Sequence, residues 1–179
     1  PLDKVLTMIL FSVIKKNAAE VIQRDPLKLK IYDPIPEELH PYEKDFLAAF
    51  KETGATLQKE LRDMVLALVR TVSEKMKGFS RKETIAYYRD ITKRAWEQVE
   101  AANTPEVKSQ KYDEVMEWTM LDRDYDDRTR DVFKNQPVFI PTWWGRYDPV
   151  VGRSVAPTTS TAPSAIPRVP GSDFAASVV

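Results

Sequence analysis

The chain has 179 residues, of which 27 are basic and 27 acidic, so it carries no net charge at pH 7. This length allows one modest domain and an appended tail, and the composition, 30% charged and 42% hydrophobic, excludes a wholly disordered chain and a multi-pass membrane protein. The absence of cysteine removes disulfides and thiolate chemistry, and a single histidine, His40, removes most histidine chemistry.

The first predicted elements are a helix and a β-hairpin. Residues 2–16 are apolar over most of a helical surface, which predicts burial on nearly every side. The apolar run 5–14 is too short for a membrane span, which takes about 20 residues. Residues 27–32 alternate with period two after the turn signal at Asp25 and Pro26, so they predict a hairpin with the strand at 18–22.

Four helices are predicted next in the chain. A short helix begins at Pro41 and ends before Gly54, and a long one spans 56–77 and ends at Gly78. Ser80 and Glu83 form a capping box that opens a third helix. Its apolar positions predict packing against a partner helix: Ile85, Tyr88, Thr92, Ala95 and Val99. Thr104 and Pro105 then open a fourth helix that reaches about Leu121.

The composition changes near residue 135. Seven of the 13 prolines lie beyond it, and proline removes a backbone donor and disfavours helix. We therefore predict three regions: a helix and hairpin at 1–34, a helical region at 41–133, and an extended, irregular arm rich in Pro, Ser and Thr at 134–179.

Two resemblances follow from the residues. A long helix, the turn KKN at 15–17, and the strands AAEVI at 18–22 and LKLKI at 27–31 resemble the third helix and wing of a winged-helix domain, which implies two further helices upstream of Pro1. The chain also looks like the C-terminal portion of predicted bacterial membrane proteins of unknown function, through GFSRKET at 78–84, AWEQVEAA at 95–102, MLDRD at 120–124 and IPTWWGRYDP at 140–149. This second resemblance implies no activity, but it implies membrane-spanning helices N-terminal to this chain and a membrane-proximal location in a bacterium.

Charge is unevenly distributed along the helical region. Residues 70–94 have a net charge of +5 and residues 95–131 one of −6. Lys82, Arg89 and Lys93 form one stripe on the third predicted helix, which could contact phosphates. A solvated face, or a partner for the acidic segment, is the alternative interpretation. The first helix offers apolar side chains where a major-groove reader needs Arg, Asn or Gln.

The sequence predicts neither a metal site nor a catalytic site, and it implies no cofactor. Counted from Asp122, the acidic run lacks the glycine and glutamate that an EF-hand loop needs, and we expect its acids to pair with neighbouring arginines on a solvated turn. His40 lies in a proline-rich loop, and no pair of carboxylates is singled out for acid–base catalysis.

The segment 138–147 is rich in aromatic residues that its prolines prevent from forming a helix of their own. Large aromatic side chains each bury about 150–250 Å², so they must lie against folded protein. That protein is either the chain's own helices or another subunit, and a carbohydrate platform is a third alternative. The candidate partner-binding residues are Phe139, Trp143, Trp144, Arg146, Tyr147 and, in an apolar C-terminal run, Phe174.

The sequence thus predicts a mainly α-helical protein with a small hairpin beside the first helix, three longer helices in a bundle or hairpin, and an irregular arm. The expected function is a non-enzymatic protein-interaction module that self-associates or joins a membrane-linked assembly through its arm. A winged-helix type of nucleic-acid binding through Lys82, Arg89 and Lys93 is the alternative. Membrane contact is expected only through segments upstream of this chain.

Overall fold

The structure, a computed structural model, describes residues 2–136, 138–139 and 141–148. In this part the chain is mainly helical and contains one two-stranded antiparallel hairpin beside the first helix, which confirms the predicted fold class. The described residues separate into two compact units. Unit 1 contains residues 2–78 and 143–148, and unit 2 contains the described residues from 79 to 142.

Unit 1 is built around helix α1, Leu2–Lys15. The chain leaves the helix at Asn17, two residues after its end, where the backbone adopts a left-handed conformation with φ of 59°. The Asn17 N–H donates to the Ile14 carbonyl at 3.0 Å, and the Ala18 N–H donates to the Val13 carbonyl at 2.9 Å. Asparagine tolerates this conformation, so the reversal leads directly into the first strand. Burial on nearly every side is confirmed by the covered side chains, which include Leu6, Ile9, Leu10, Phe11, Val13 and Ile14.

The hairpin covers one side of α1. Strand β1, Ala19–Arg24, pairs antiparallel with β2, Leu27–Ile31, and Val21 lies opposite Leu29. The register shifts between Val21 and Gln23. Residues alternate between buried and exposed along both strands, as the period-two pattern predicts.

Helix α2, Pro41–Ala49, is fixed to α1 by a buried carboxylate. Glu43 has no exposed surface, and Ser12 Oγ donates to its Oε1 at 2.5 Å. Lys16 Nζ contacts both carboxylate oxygens, at 2.9 and 2.7 Å. The backbone N–H of His40, just before the helix, donates to Oε2 at 2.7 Å. One side chain therefore caps α2 and ties it to α1.

Helix α3, Gly54–Lys75, packs on α2 and buries Leu61, Met64 and Val65. Because α2 contacts both α1 and α3, all three helices belong to unit 1. This differs from the predicted boundaries at 1–34 and 41–133, since the division in the structure falls after Gly78.

Unit 2 consists of α4, Arg81–Glu100, α5, Pro105–Thr119, and α6, Tyr125–Val132. Both predicted N-caps are confirmed: Ser80 Oγ accepts from the Glu83 N–H and Thr104 Oγ accepts from the Val107 N–H, each at 3.3 Å. Of the predicted capping box, the described contacts show this half, the bond to the Ser80 side chain. Helices α4 and α5 pack together. On α4 the buried residues are Thr92, Ala95, Trp96 and Val99, whereas Ile85 and Tyr88, predicted to pack, are exposed.

Four aromatic side chains pack together in the core of unit 2: Trp96, Tyr112, Tyr125 and Phe133. The hydroxyls of Tyr112 and Tyr125 are hydrogen-bonded at 2.5 Å. Burial raises the pKa of Tyr112 to about 12, so this hydroxyl stays protonated at neutral pH.

The prediction of a solvated turn around residues 122–131 is wrong in part, because residues 125–132 form α6. The acid–arginine pairs do form, for example Arg130 with Asp127 at 2.8 Å. However, Tyr125 and Thr129 lie four residues apart, are both buried, and are joined by a hydrogen bond from Thr129 Oγ to the Tyr125 carbonyl. The buried face stabilises the helix within the charged run.

Replacing Glu43 by Gln is expected to lower the free energy of unfolding by about 2 kcal/mol, because Lys16 and Ser12 lose a charged acceptor. Urea unfolding followed by circular dichroism measures the change. Glu52→Gln is the control, since Glu52 is exposed on the loop after α2. Equal loss in both variants would contradict the role assigned to Glu43.

The Glu43 interaction also predicts a pH dependence. Burial alone would raise the pKa of this carboxyl, but the hydrogen bonds from Lys16, Ser12 and the His40 backbone outweigh it and hold the pKa below its ordinary value of 4.5. A carboxyl whose pKa is lower in the folded state stabilises the fold above its unfolded pKa. We therefore expect stability to fall as the pH drops below about 4.5, and this part of the decline to be absent in Glu43→Gln. Unfolding curves at pH 3 to 7 test both statements.

Candidate interaction sites

Residues 143–148, which we call the aromatic clasp, lie on α1 and β1. They contain the single helical turn α7, Trp144–Tyr147. Trp143, Trp144 and Tyr147 are buried, and their rings surround Phe11 at centroid distances of 5.6, 6.4 and 4.9 Å. The clasp therefore covers a side of α1 that would otherwise face water.

Polar contacts hold the clasp at both edges. Arg146 Nη2 donates to the carbonyl of Ile14 near the end of α1, at 3.2 Å. Arg24 on β1 donates to the Tyr147 hydroxyl at 3.2 Å and pairs with Asp148 at 3.1 Å. These partners lie more than a hundred residues apart in sequence, so the clasp joins distant parts of the chain.

The sequence left open whether the aromatic segment docks on its own chain or on another subunit. For Trp143, Trp144, Arg146 and Tyr147 the structure shows the chain's own α1 and β1. The expectation that this segment cannot be helical is wrong, because α7 begins after Pro141, where no proline interrupts its turn.

Phe139 differs from the clasp: its side chain is exposed, and its backbone N–H donates to Ser109 Oγ in unit 2. Phe174 lies outside the described residues.

The predicted basic stripe on α4 is exposed along its length. Arg89 and Lys93 line an open groove of about 710 Å³ in unit 2, whereas Lys82 is not among its lining residues. Lys93 lies 3.6 Å from Glu97 in an exposed pair. The structure therefore brings two of the three predicted residues into one site.

Two further arginines reach the same groove from the chain after α5. Arg123 and Arg128 line it together with Arg89 and Lys93, and the sequence prediction missed both. Arg128 lies over the ring of Trp96 at 5.0 Å and pairs with Glu100 at 2.9 Å. The alternation of acids and arginines suggested only local pairing, and α6 had to be known before Arg128 could be placed beside α4.

The second half of α3 carries an uncovered apolar surface, which we call the α3 stripe. It consists of Leu66, Val69 and Val72, which are 48%, 54% and 50% exposed. Val69 and Val72 lie four and seven residues after the buried Val65, so they continue the face that packs on α2. The sequence predicted a broad apolar face on this helix, but it did not predict at which residue the burial of that face ends.

Two features of unit 1 involve residue types that also occur in active sites. Ser12, Lys16 and Glu43 form a cluster of catalytic residue types, but the lowered pKa of Glu43 makes its carboxylate a poor general base at neutral pH. His40 stacks on Tyr42 at 5.4 Å. Among the described residues, no group of three or more His, Asp or Glu side chains could hold a metal ion. No helix in this part of the chain is long and apolar enough to cross a membrane.

Comparison with known protein families, with curated proteins and with solved structures finds no match for this chain. The clasp, the α3 stripe and the basic groove are the features of the described residues that bear on function.

The clasp predicts that two truncations differ in stability. Removing residues 149–179 keeps every described contact of unit 1, and we expect it to leave the urea midpoint unchanged. Removing residues 143–179 uncovers Phe11 and deletes three buried aromatic side chains, and loss of one such side chain costs about 3–5 kcal/mol. We expect the second truncation to lower the free energy of unfolding by at least this amount. Coinciding unfolding curves, measured by circular dichroism, would show that the clasp does not stabilise unit 1.

Proposed function

We propose that the protein is a non-enzymatic interaction module that self-associates through the α3 stripe, with its C-terminal arm adding contacts. The observation that carries the proposal is the exposed half of an apolar helix face whose other half is buried. An apolar surface that continues beyond its cover is typical of a protein contact site.

A second copy of the chain is the occupant that this surface favours. A two-fold contact needs one patch only, because the same residues face each other across the axis. The absence of net charge, with 27 basic and 27 acidic residues, means that two copies do not repel each other over long distances. No foreign partner has to be assumed.

The size of the stripe indicates weak association. Covering the exposed half of three aliphatic side chains contributes about 2–4 kcal/mol per helix. Two such helices contribute about twice that amount, which is similar to the estimated cost of about 4–15 kcal/mol for bringing two molecules together. A stable assembly therefore needs additional contacts.

The arm is the segment that we propose to supply those contacts. The clasp fixes its root to the chain's own α1, so Trp143, Trp144 and Tyr147 are not available to a partner. The proposed contacts are the exposed Phe139 and, beyond the clasp, Phe174. A tethered segment strengthens a weak contact because its second binding step is intramolecular.

The nucleic-acid alternative has less support. A winged-helix protein reads DNA with an exposed recognition helix, whereas the corresponding helix here, α1, is covered on nearly every side. The winged-helix resemblance and the membrane-linked location both stay predictions. The sequence at 15–31 supports the winged-helix resemblance, and the segments within 78–149 support the membrane-linked location.

Val69→Asp combined with Val72→Asp is expected to abolish self-association, because two carboxylates in an apolar contact must be desolvated. Sedimentation velocity over a range of protein concentrations measures it. The control is Ala67→Asp with Thr71→Asp, which adds the same charge at exposed positions on another face of α3. Removal of residues 149–179 should weaken association without abolishing it.

Two outcomes would refute this proposal. One is a wild-type chain that sediments as a monomer at every concentration. The other is equal loss of association in the control variant, since charge alone would then explain the effect.

A further inference from the structure

The basic groove of unit 2 combines positive charge with apolar surface. Four basic side chains and one acidic side chain line it, which leaves an excess of three positive charges. The full lining is Thr84, Ile85, Tyr88, Arg89, Thr92, Lys93, Leu121, Asp122, Arg123 and Arg128.

The four cations are not equally available to a ligand. Arg128 is already paired with Glu100 and with Asp122, at 2.9 and 3.5 Å. Among the described residues, the ion pair of Lys93 is a long, exposed contact with Glu97 at 3.6 Å. Arg89 and Arg123 form no ion pair within the part of the chain that the structure describes. Two guanidinium groups can therefore take a carboxylate through parallel hydrogen bonds without first breaking another pair.

The rest of the lining is apolar and only half covered. Ile85, Tyr88 and Leu121 are 41%, 46% and 44% exposed. Tyrosine and arginine are the residue types that contribute most to binding at protein interfaces. The groove therefore offers both an apolar contact and two anion contacts.

We propose that this groove docks an acidic peptide segment of a partner protein, with carboxylates at Arg89 and Arg123 and an apolar side chain on Tyr88. The groove is lined by residues of unit 2 and the α3 stripe consists of residues of unit 1, so this inference does not rest on self-association.

A discrete acidic peptide suits the groove better than a nucleic acid does. Asp122 lies in the lining, and residues 95–131 around it have a net charge of −6. A nucleic acid carries a negative charge on every nucleotide and would be repelled by this segment, whereas a peptide can place its few carboxylates at the two arginines. The open, half-exposed lining also differs from a small-molecule site, which buries most of its ligand.

Fluorescence anisotropy with the full chain tests the proposal. The probe is a fluorescein-labelled eight-residue peptide with the repeat Glu-Glu-Leu-Phe, and the reference peptide replaces each Glu by Gln. We expect the acidic peptide to bind at least tenfold more tightly than the reference, and the difference to shrink as salt is added.

Substitutions then locate the site. Arg89→Gln with Arg123→Gln should weaken binding at least tenfold, whereas Arg62→Gln with Arg70→Gln removes two exposed arginines of α3 and should change it less than twofold. Arg89→Glu with Arg123→Glu should reject the acidic peptide and bind a Lys-Lys-Leu-Phe peptide instead. Tyr88→Ala should lower affinity for the acidic peptide while leaving its salt dependence unchanged.

The inference is overturned if the acidic peptide binds no better than its Gln reference, or if the α3 control loses as much affinity as the groove variant. Tighter binding of single-stranded DNA of equal charge than of the peptide would assign the groove to nucleic acid and would also overturn it. Because the α3 stripe variants keep the groove intact, failure of peptide binding and failure of self-association can be told apart.

Discussion

The structure of unit 1 depends on the need to cover α1 on every side. Helix α1 is apolar on nearly every side, so a neighbouring element must cover each of its faces. The hairpin covers one side, α2 packs on another through the Glu43 carboxylate, and the aromatic clasp covers the side that carries Phe11. Without the clasp, Phe11 would be exposed to water in a unit that is otherwise complete.

This use of the clasp changes what the C-terminal aromatic residues can do. Tryptophan and tyrosine are typical anchors at protein interfaces, and on composition alone the segment predicts a docking site. Because these rings pack on Phe11, the aromatic side chains stabilise the fold and are not available to a partner. Among the described residues, the surfaces that stay open to a partner include the aliphatic α3 stripe and the basic groove beside α4.

Local signals were predictable from the sequence, whereas long-range pairing was not. Ser80 and Thr104 mark their helices through hydrogen bonds to residues three positions later, and the hairpin follows from period two. The partner of Trp143 lies 132 residues earlier, at Phe11, and no spacing rule links the two. Arg123 and Arg128 are similar, because only the fold of α6 against α4 and α5 places them beside Arg89. For the same reason the boundary after Gly78 could not be predicted, since a glycine after a helix marks its end and not the end of a unit.

The chain has no net charge, yet the two proposed contacts differ in the chemistry of their side chains. The α3 stripe consists of aliphatic side chains, whose attraction is not directional and scales with area, so it favours association without choosing orientation. Arginine forks are directional and pair with carboxylates through parallel hydrogen bonds, so the proposed groove contact favours an acidic segment over a neutral one. Acidic residues near the groove further restrict which partners can bind there, because they repel a continuous polyanion. A chain without net charge can therefore combine the two proposed contacts, because the fold gathers basic side chains from both the basic and the acidic segment into one groove.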